Sequence, residues 1–151
     1  LEIQRMPNLF GETFARPECY PYLSVATPST HDMSTLRGWW REDEALSQQF
    51  YNCVLGFDGK APLEMDGRVA RAILAQHLAS PSAFALFAWQ DWMAMDERLR
   101  RENYDDERIN VPSNRDHCWN YRMHIPLEQL MQERAFNDTL RTMIADSGRL
   151  L

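Results

Sequence analysis

Residues 22–40 read YLSVATPSTHDMSTLRGWW, and this stretch carries the strongest indication of the fold. Its first part, Tyr22 to Thr27, is a short apolar and β-branched run between two prolines, which predicts a buried strand. Ser34 or Thr35 can cap the N-terminus of the segment that follows. From there apolar residues recur at helical spacing and stop before Gly56, which predicts one amphipathic helix. Its inner face would hold Leu36, Trp39, Trp40, Phe50 and Val54.

The rest of the chain continues this alternation of strands and helices. A second helix is predicted from about Met65 to Ala79, and the apolar segment Ala83 to Trp89 predicts a strand covered on both faces. The polar segment Asp96 to Asp116 is expected to begin as a helix and to end as a loop. Pro126 can open a further helix, and Asn137 can cap the last one.

This order of elements predicts the fold class α/β with a parallel sheet, because strands that alternate with helices are joined by right-handed crossovers. The N-terminal residues, up to about Tyr22, are expected to be mostly loop with short helical turns, since they hold three prolines and a glycine. That leaves about two parallel strands, too few for a sheet with two covered faces. The first residue is Leu, not Met. We therefore expect residues 1–151 to be an incomplete part of a larger α/β domain.

Composition narrows the possible classes of function. The 151 residues carry 16 Lys and Arg against 22 Asp and Glu, a net charge of −6, which argues against nucleic acid or an anionic membrane as partner. No stretch approaches the roughly 18 apolar residues that span a membrane, and the N-terminus lacks the apolar core of a secretory signal. Three widely spaced cysteines, Cys19, Cys53 and Cys118, match neither a disulfide framework nor a zinc site and predict buried free thiols. We expect a cytoplasmic protein with no metal or other cofactor.

The loop after the first predicted strand holds the pair His31-Asp32. In barrel enzymes a strand-to-helix loop of this kind lies at the active-site edge. There a carboxylate and an imidazole in one small volume are suited to binding adjacent hydroxyl groups of a sugar. The alternative is structural, with Asp32 capping the helix and His31 making local hydrogen bonds. The dipeptide alone leaves both interpretations open.

The wider pattern His-Asp-x-x-Thr-x-x-Gly-Trp-Trp, which starts at His31, resembles the 4-alpha-glucanotransferases (amylomaltases or disproportionating enzymes) of glycoside hydrolase family 77. The pair Gln90-Asp91, the run Arg108 to Pro112 and the Trp-x-x-Arg motif at Trp119 are similar to motifs of that family and occur in the same order. The resemblance extends from residue 20 to residue 149. The form of the His-Asp loop and the segment Ser113 to His117 look closer to the long-chain branch that includes plant cytosolic transglucosidases.

The resemblance implies a reaction and a role for two residues. The reaction is a retaining transglycosylation inside a (β/α)8 TIM barrel, in which an Asp nucleophile and a Glu acid/base flank the bond and a maltodextrin acceptor replaces water. Asp32 then corresponds to the third carboxylate, a transition-state stabiliser, and His31 binds the same sugar. No carboxylate of this chain matches the family motif of the nucleophile or of the acid/base. The chain is thus expected to be the C-terminal portion of the barrel, helix-rich, with about two of its parallel strands.

Several further residues have both a binding and a structural interpretation. Trp89, at the predicted end of the second strand, can bind the face of a sugar or pack inside the protein. Asn110 lies in a motif loop from which its amide can reach acceptor sugars. The pair Gln90-Asp91 fits either a cleft or a buried hydrogen-bonding network. Trp39 and Trp40 are expected in the core, since they continue the apolar face of a helix.

The sequence therefore predicts a part of an enzyme that transfers alpha-1,4-glucan segments between maltodextrins. The chain alone is expected to be inactive, because it lacks the nucleophile and the acid/base, and its unpaired strand edges favour self-association. The alternative is a non-catalytic carbohydrate-binding or assembly module derived from the same fold. The sequence does not specify the preferred donor or acceptor.

Overall fold

The computed structural model describes residues 1–117, 119 and 121–149. Three short strands form one parallel sheet in the order β1 (Glu2–Ile3), β2 (Val25–Thr27) and β3 (Phe84–Ala85). The register pairs Glu2 with Ala26 and Val25 with Phe84. Because the strands are parallel, their carboxyl ends lie at one edge of the sheet, which is where ligands bind in α/β proteins.

The helices cover residues between and after these strands. They are α1 (Leu36–Glu42), α2 (Glu44–Gln49) with a π-helical turn at Phe50–Val54, α3 (Gly67–Leu78), α4 (Trp89–Met93), α5 (Leu127–Leu130) and α6 (Arg134–Asp146). Thr35 caps α1, as its hydroxyl accepts a hydrogen bond from the Gly38 N–H. Gly67, at the start of α3, lies so close to the Met95 carbonyl that a Cβ would be 2.4 Å from its oxygen. The absence of a side chain there lets α3 pack against the residues after α4.

The hydrophobic core lies between α1, the π-helical turn and α3. Its most buried side chains are Trp40, Phe50, Met65, Val69, Ile73 and Leu74. The ring of Trp39 packs edge-to-face on Phe50 at a centroid distance of 5.2 Å. The indole N–H of Trp40 donates to the Pro62 carbonyl at 2.8 Å, so its polar atom is paired. The expectation that both tryptophans belong to the core is confirmed.

The structure corrects the expectations about the strands. The sequence pattern does not indicate β1, because a two-residue strand is too short to show a periodicity, so the sheet has three strands and not about two. β3 covers only Phe84–Ala85, and Trp89 begins α4 instead of ending a strand. The side chains of Phe84 and Leu86 are 63% and 58% exposed, so this strand is not covered on both faces.

The structure also corrects three helix boundaries. The helix expected from Leu36 onward is interrupted at Asp43, whose carboxylate accepts hydrogen bonds from two N–H groups of α2 and so caps a new helix. In the described part of the polar segment after Asp96, the only helical structure is a 3₁₀ turn at Tyr104–Glu107. The last helix begins at Arg134 and not at Asn137, because the Asn137 amide donates to the Leu130 carbonyl and does not cap a helix.

Two of the three cysteines differ from expectation. Cys19 and Cys53 are free, as expected, but both are exposed. Cys19 is the last residue of a 3₁₀ turn at Pro17–Cys19, and Cys53 lies on the outer side of the π-helical turn. Cys118 lies outside the described residues. Within the described ranges no helix is long and apolar enough to cross a bilayer. Nor does that part of the chain place three or more His, Cys, Asp or Glu side chains where they could hold a metal ion.

Candidate active site

The candidate site lies in the loop between β2 and α1, which leaves the carboxyl end of the sheet. The Thr27 hydroxyl donates to the Ser29 carbonyl at 2.7 Å and turns the chain out of the strand. At the tip of the loop, the side chains of His31 and Asp32 are 48% and 56% exposed. Thr35, and not Asp32, caps α1, so the Asp32 carboxylate is not occupied in helix capping.

Two polar side chains flank the Asp32 carboxylate. Nε2 of His31 lies 3.2 Å from Oδ2 of Asp32, and the amide of Asn110, 78 residues away in sequence, donates to Oδ1 at 2.7 Å. Among the described residues, each carboxylate oxygen thus has one such neighbour and keeps acceptor capacity for further hydrogen bonds. Such an arrangement can accept hydrogen bonds from adjacent hydroxyl groups, while its negative charge can stabilise a nearby positive charge.

Asn110 reaches the loop because the segment before it is anchored inside the protein. The Arg37 guanidinium and the Glu107 carboxylate form a buried ion pair at 2.5 Å, and the Gln90 amide donates to the Glu107 carbonyl at 3.0 Å. Burial raises the pKa of Glu107 to about 7, although the charge of Arg37 opposes this rise. The Arg108 Nε–H then donates to the Asn110 carbonyl at 3.0 Å. These contacts fix the backbone from which the Asn110 amide points to Asp32.

Trp119 is a further residue of the site, and its sequence motif predicts no role for it. Its ring lies 4.5 Å from the His31 imidazole, with an angle of 48° between the planes, and it is largely exposed. The ring thus adds an apolar surface next to the polar groups of the tip. The signal available in the sequence is the Trp-x-x-Arg motif itself, which says nothing of a contact with His31.

Trp89 makes its ring contact with a residue of another helix and not with the loop residues His31 and Asp32. It is the first residue of α4, is partly buried, and packs edge-to-face on Phe136 of α6 at 6.2 Å. The structure brings His31, Asp32 and Asn110 together, and it gives Trp89 a packing contact. Sugar binding by Trp89 stays a prediction.

The side chain of Asp91, in α4, lies fully buried beneath the loop. One carboxylate oxygen accepts a hydrogen bond from the Ser29 hydroxyl, and the other accepts from the Leu36 N–H at 3.2 Å. Burial raises the pKa of Asp91, while these two donors and the charge of Arg5 oppose the rise. Of the two interpretations of Gln90-Asp91, the buried network is therefore the one observed.

Arg5, two residues after β1, holds the same loop from the other side. Its guanidinium donates to the Pro28 carbonyl at 3.1 Å, to the Thr35 carbonyl at 3.4 Å, and to both the hydroxyl and the carbonyl of Ser34. It also stacks over the ring of Trp39 at 5.6 Å. Burial lowers the pKa of Arg5 to about 10, so the side chain stays positively charged at neutral pH.

Comparison with known protein families and sequences identifies relatives along most of the chain. Residues 1–128 match the family model described as 4-alpha-glucanotransferase. The 4-alpha-glucanotransferase DPE2 of Oryza sativa subsp. japonica is 38% identical over 149 residues, which are 99% of this chain and 16% of that protein. The 4-alpha-glucanotransferase of Chlamydia pneumoniae is 30% identical over 126 residues, which are 83% of this chain and 23% of that protein.

A solved structure shares the fold. The amylomaltase from Streptococcus agalactiae in complex with acarbose matches with a TM-score of 0.64 and 18% identity, over 88% of this chain and 23% of that one. At this identity the likeness establishes the fold alone. The chain spans about a sixth to a quarter of the length of the relatives that it matches.

Proposed function

Because the chain belongs to the 4-alpha-glucanotransferases of glycoside hydrolase family 77, we propose that it is a segment of an enzyme that transfers alpha-1,4-glucan units between maltodextrins. The observation that carries this proposal is the exposed Asp32 carboxylate, bound by Asn110 and next to His31 at the carboxyl end of β2. In this proposal the chain is the C-terminal portion of a (β/α)8 catalytic barrel. The nucleophile and the acid/base lie outside it, and the reaction proceeds with retention.

Asp32 acts in this proposal as the transition-state stabiliser. Its two oxygens accept hydrogen bonds from hydroxyl groups of the sugar whose bond is broken, and its charge stabilises the oxocarbenium-like transition state. When the site is empty, water screens the half-exposed carboxylate. A bound sugar displaces that water, so the same charge acts more strongly on the reacting carbon.

His31 and Asn110 have two tasks in this proposal. Both hold the Asp32 carboxylate in place, and both offer polar groups to the same sugar or to the acceptor. Trp89 is proposed as a further sugar contact. The proposed enzyme uses no metal or other cofactor and has no nucleic-acid or membrane partner. It is proposed to lie in the cytoplasm.

The proposal is tested by Asp32→Asn in the full-length protein in which this segment is proposed to lie. The substitution keeps the shape and removes the charge, so we expect the disproportionation of maltotriose to fall by about 10²-fold or more, with an unchanged melting temperature. Asp58→Asn, which changes an exposed carboxylate elsewhere, is the matched control and should retain full activity. Normal transfer by Asp32→Asn would refute the role of Asp32. No transfer by the unsubstituted full-length protein would favour a binding module instead.

The 151-residue chain by itself is proposed to be inactive and to self-associate. Leu23, Phe84 and Leu86 are exposed large apolar residues in or beside the strands, and β1 and β3 are open edges of the sheet. Light scattering on the purified chain should therefore show dimers or larger species. A monomer at micromolar concentration, or turnover of maltotriose by this chain, would contradict the respective half of the proposal.

A further inference from the structure

The loop that presents His31 and Asp32 is held at both ends by two charged side chains from other parts of the chain. Asp91 is fully buried and Arg5 is partly buried. Asp91 accepts hydrogen bonds from Ser29 near the start of the loop and from Leu36 at its end. Arg5 donates to Pro28 at the start and to Ser34 and Thr35 at the end. Residues 30–33, which contain the exposed pair, span the gap between these two sets of contacts.

The placement of the two side chains follows from the sheet. Arg5 comes two residues after β1, the loop itself follows β2, and Asp91 lies in α4, a few residues after β3. Since the three strands are parallel neighbours, the segments that leave their carboxyl ends converge under the loop. Arg5, which follows the edge strand β1, and Asp91, which follows the edge strand β3, therefore both contact the loop that follows the central strand β2.

We propose that Asp91 and Arg5 are positioning residues for the Asp32 carboxylate and act through the two ends of this loop. The inference rests on the proposed function for its catalytic consequence. Opposite charges that are removed from water stabilise a protein little compared with apolar packing, but they can specify a single conformation of the chain around them. Here all the hydrogen bonds named for the two side chains end on residues 28–36. Placing a reacting group wrongly by about 1 Å can cost about 10²-fold in rate.

Two variants that each lose one buried hydroxyl can distinguish a positioning role from a contribution to stability alone. Ser29→Ala deletes the hydrogen bond to Asp91. Ser47→Ala deletes a similarly buried one, from the Ser47 hydroxyl to the Trp40 carbonyl at 2.7 Å, which involves no residue of the loop. Both variants should lower the melting temperature similarly. In the full-length protein we expect Ser29→Ala to lower kcat for maltotriose about tenfold with KM within about twofold, whereas Ser47→Ala changes neither.

Hydrogen exchange in the 151-residue chain supplies a readout that needs no enzymatic activity. The amides of residues 30–33 should exchange faster in Ser29→Ala than in the unsubstituted chain, and at the unsubstituted rate in Ser47→Ala. Unchanged exchange in Ser29→Ala, or equal kcat values for the two variants, would overturn the positioning role. If the full-length protein transfers no glucan, the proposed function fails, and the exchange experiment alone then decides whether Asp91 positions the loop.

Discussion

The tip and the base of the loop between β2 and α1 differ in what their polar groups have left to bind. At the tip, His31 and Asp32 are about half exposed, and within the part of the chain that the structure describes each Asp32 oxygen has one polar side chain beside it. At the base, Ser29 and Asp91 are buried, and both oxygens of Asp91 accept hydrogen bonds within the protein. The residues that attach the loop to the protein are thus different from the residues whose polar groups face solvent. If the proposed function holds, a sugar can displace water at the tip while the hydrogen bonds of the base stay in place.

The largest change in stability is expected from a substitution at the base of the loop. Arg5→Met removes the Arg5 donor from the carbonyls of Pro28 and Ser34, whereas the Thr35 carbonyl keeps its hydrogen bond from the Trp39 N–H. It also leaves Asp91 without a nearby positive charge. We expect a loss of about 4 kcal/mol in the free energy of unfolding, measured by urea denaturation. Arg16→Met, which removes an exposed arginine, should leave it nearly unchanged. Equal losses in the two variants would mean that the base does not hold the loop.

Buried His77 of α3 should make stability depend on pH. Burial lowers its pKa to about 4, so the folded chain keeps it neutral while the unfolded chain protonates it below about pH 6.5. The unfolded state therefore binds more protons between these values, and this contribution to stability, roughly 3 kcal/mol, is lost as the pH falls from about 6.5 to about 4. His77→Gln should flatten that part of the curve of unfolding free energy against pH.

Ile73→Val is the control for the pH experiment, because Ile73 is a buried apolar neighbour whose carbonyl contacts the His77 ring. It should lower stability by about 1 kcal/mol at every pH and leave the slope unchanged. A slope that survives in His77→Gln would assign the acid sensitivity to another group.

A smaller effect is expected at the tip. Asn110→Ala removes the donor to Asp32, so kcat for maltotriose in the full-length protein should fall about tenfold while the melting temperature stays within about 1 °C. Asn110→Asp should cost more, since it places a second carboxylate against the first. Asn114→Ala, in the same loop, is the matched control, because the side chain of Asn114 accepts from the Asp116 N–H within its own turn. Equal activities of the two alanine variants would contradict the contact between Asn110 and Asp32.

The sequence predicts local features of this region, whereas it does not predict the long-range contacts at the base of the loop. The His31-Asp32 pair, the helix cap at Thr35 and the core tryptophans each follow from local patterns, and the structure shows the cap and the core as predicted. The roles of Asp32 and His31 follow from the family resemblance, and those of Asn110 and Trp89 from their positions in a motif loop and at a predicted strand end. All four stay predictions.

The contacts at the base of the loop and the bounds of the strands cannot be predicted from the sequence, because they depend on contacts between residues distant in the chain. β1 is two residues long and is defined only by its pairing with β2, and Arg5 after it carries no local pattern that points to the loop. The contact between His31 and Trp119 likewise joins residues that no periodicity connects. The extended strand predicted up to Trp89 fails for a related reason. Its apolar run is shared between β3, a loop and the start of α4, and length alone does not separate these.

The most direct test of the link between base and tip is a double-mutant cycle on Ser29 and Asp32 in the full-length protein, measured as kcat/KM for maltotriose. If Ser29 acts by holding Asp32 in place, Ser29→Ala should cost about tenfold in the unsubstituted background and almost nothing when Asp32 is already Asn. The coupling energy would then be about 1.4 kcal/mol. The same tenfold loss in both backgrounds would show that the base does not act through Asp32 and would contradict this account.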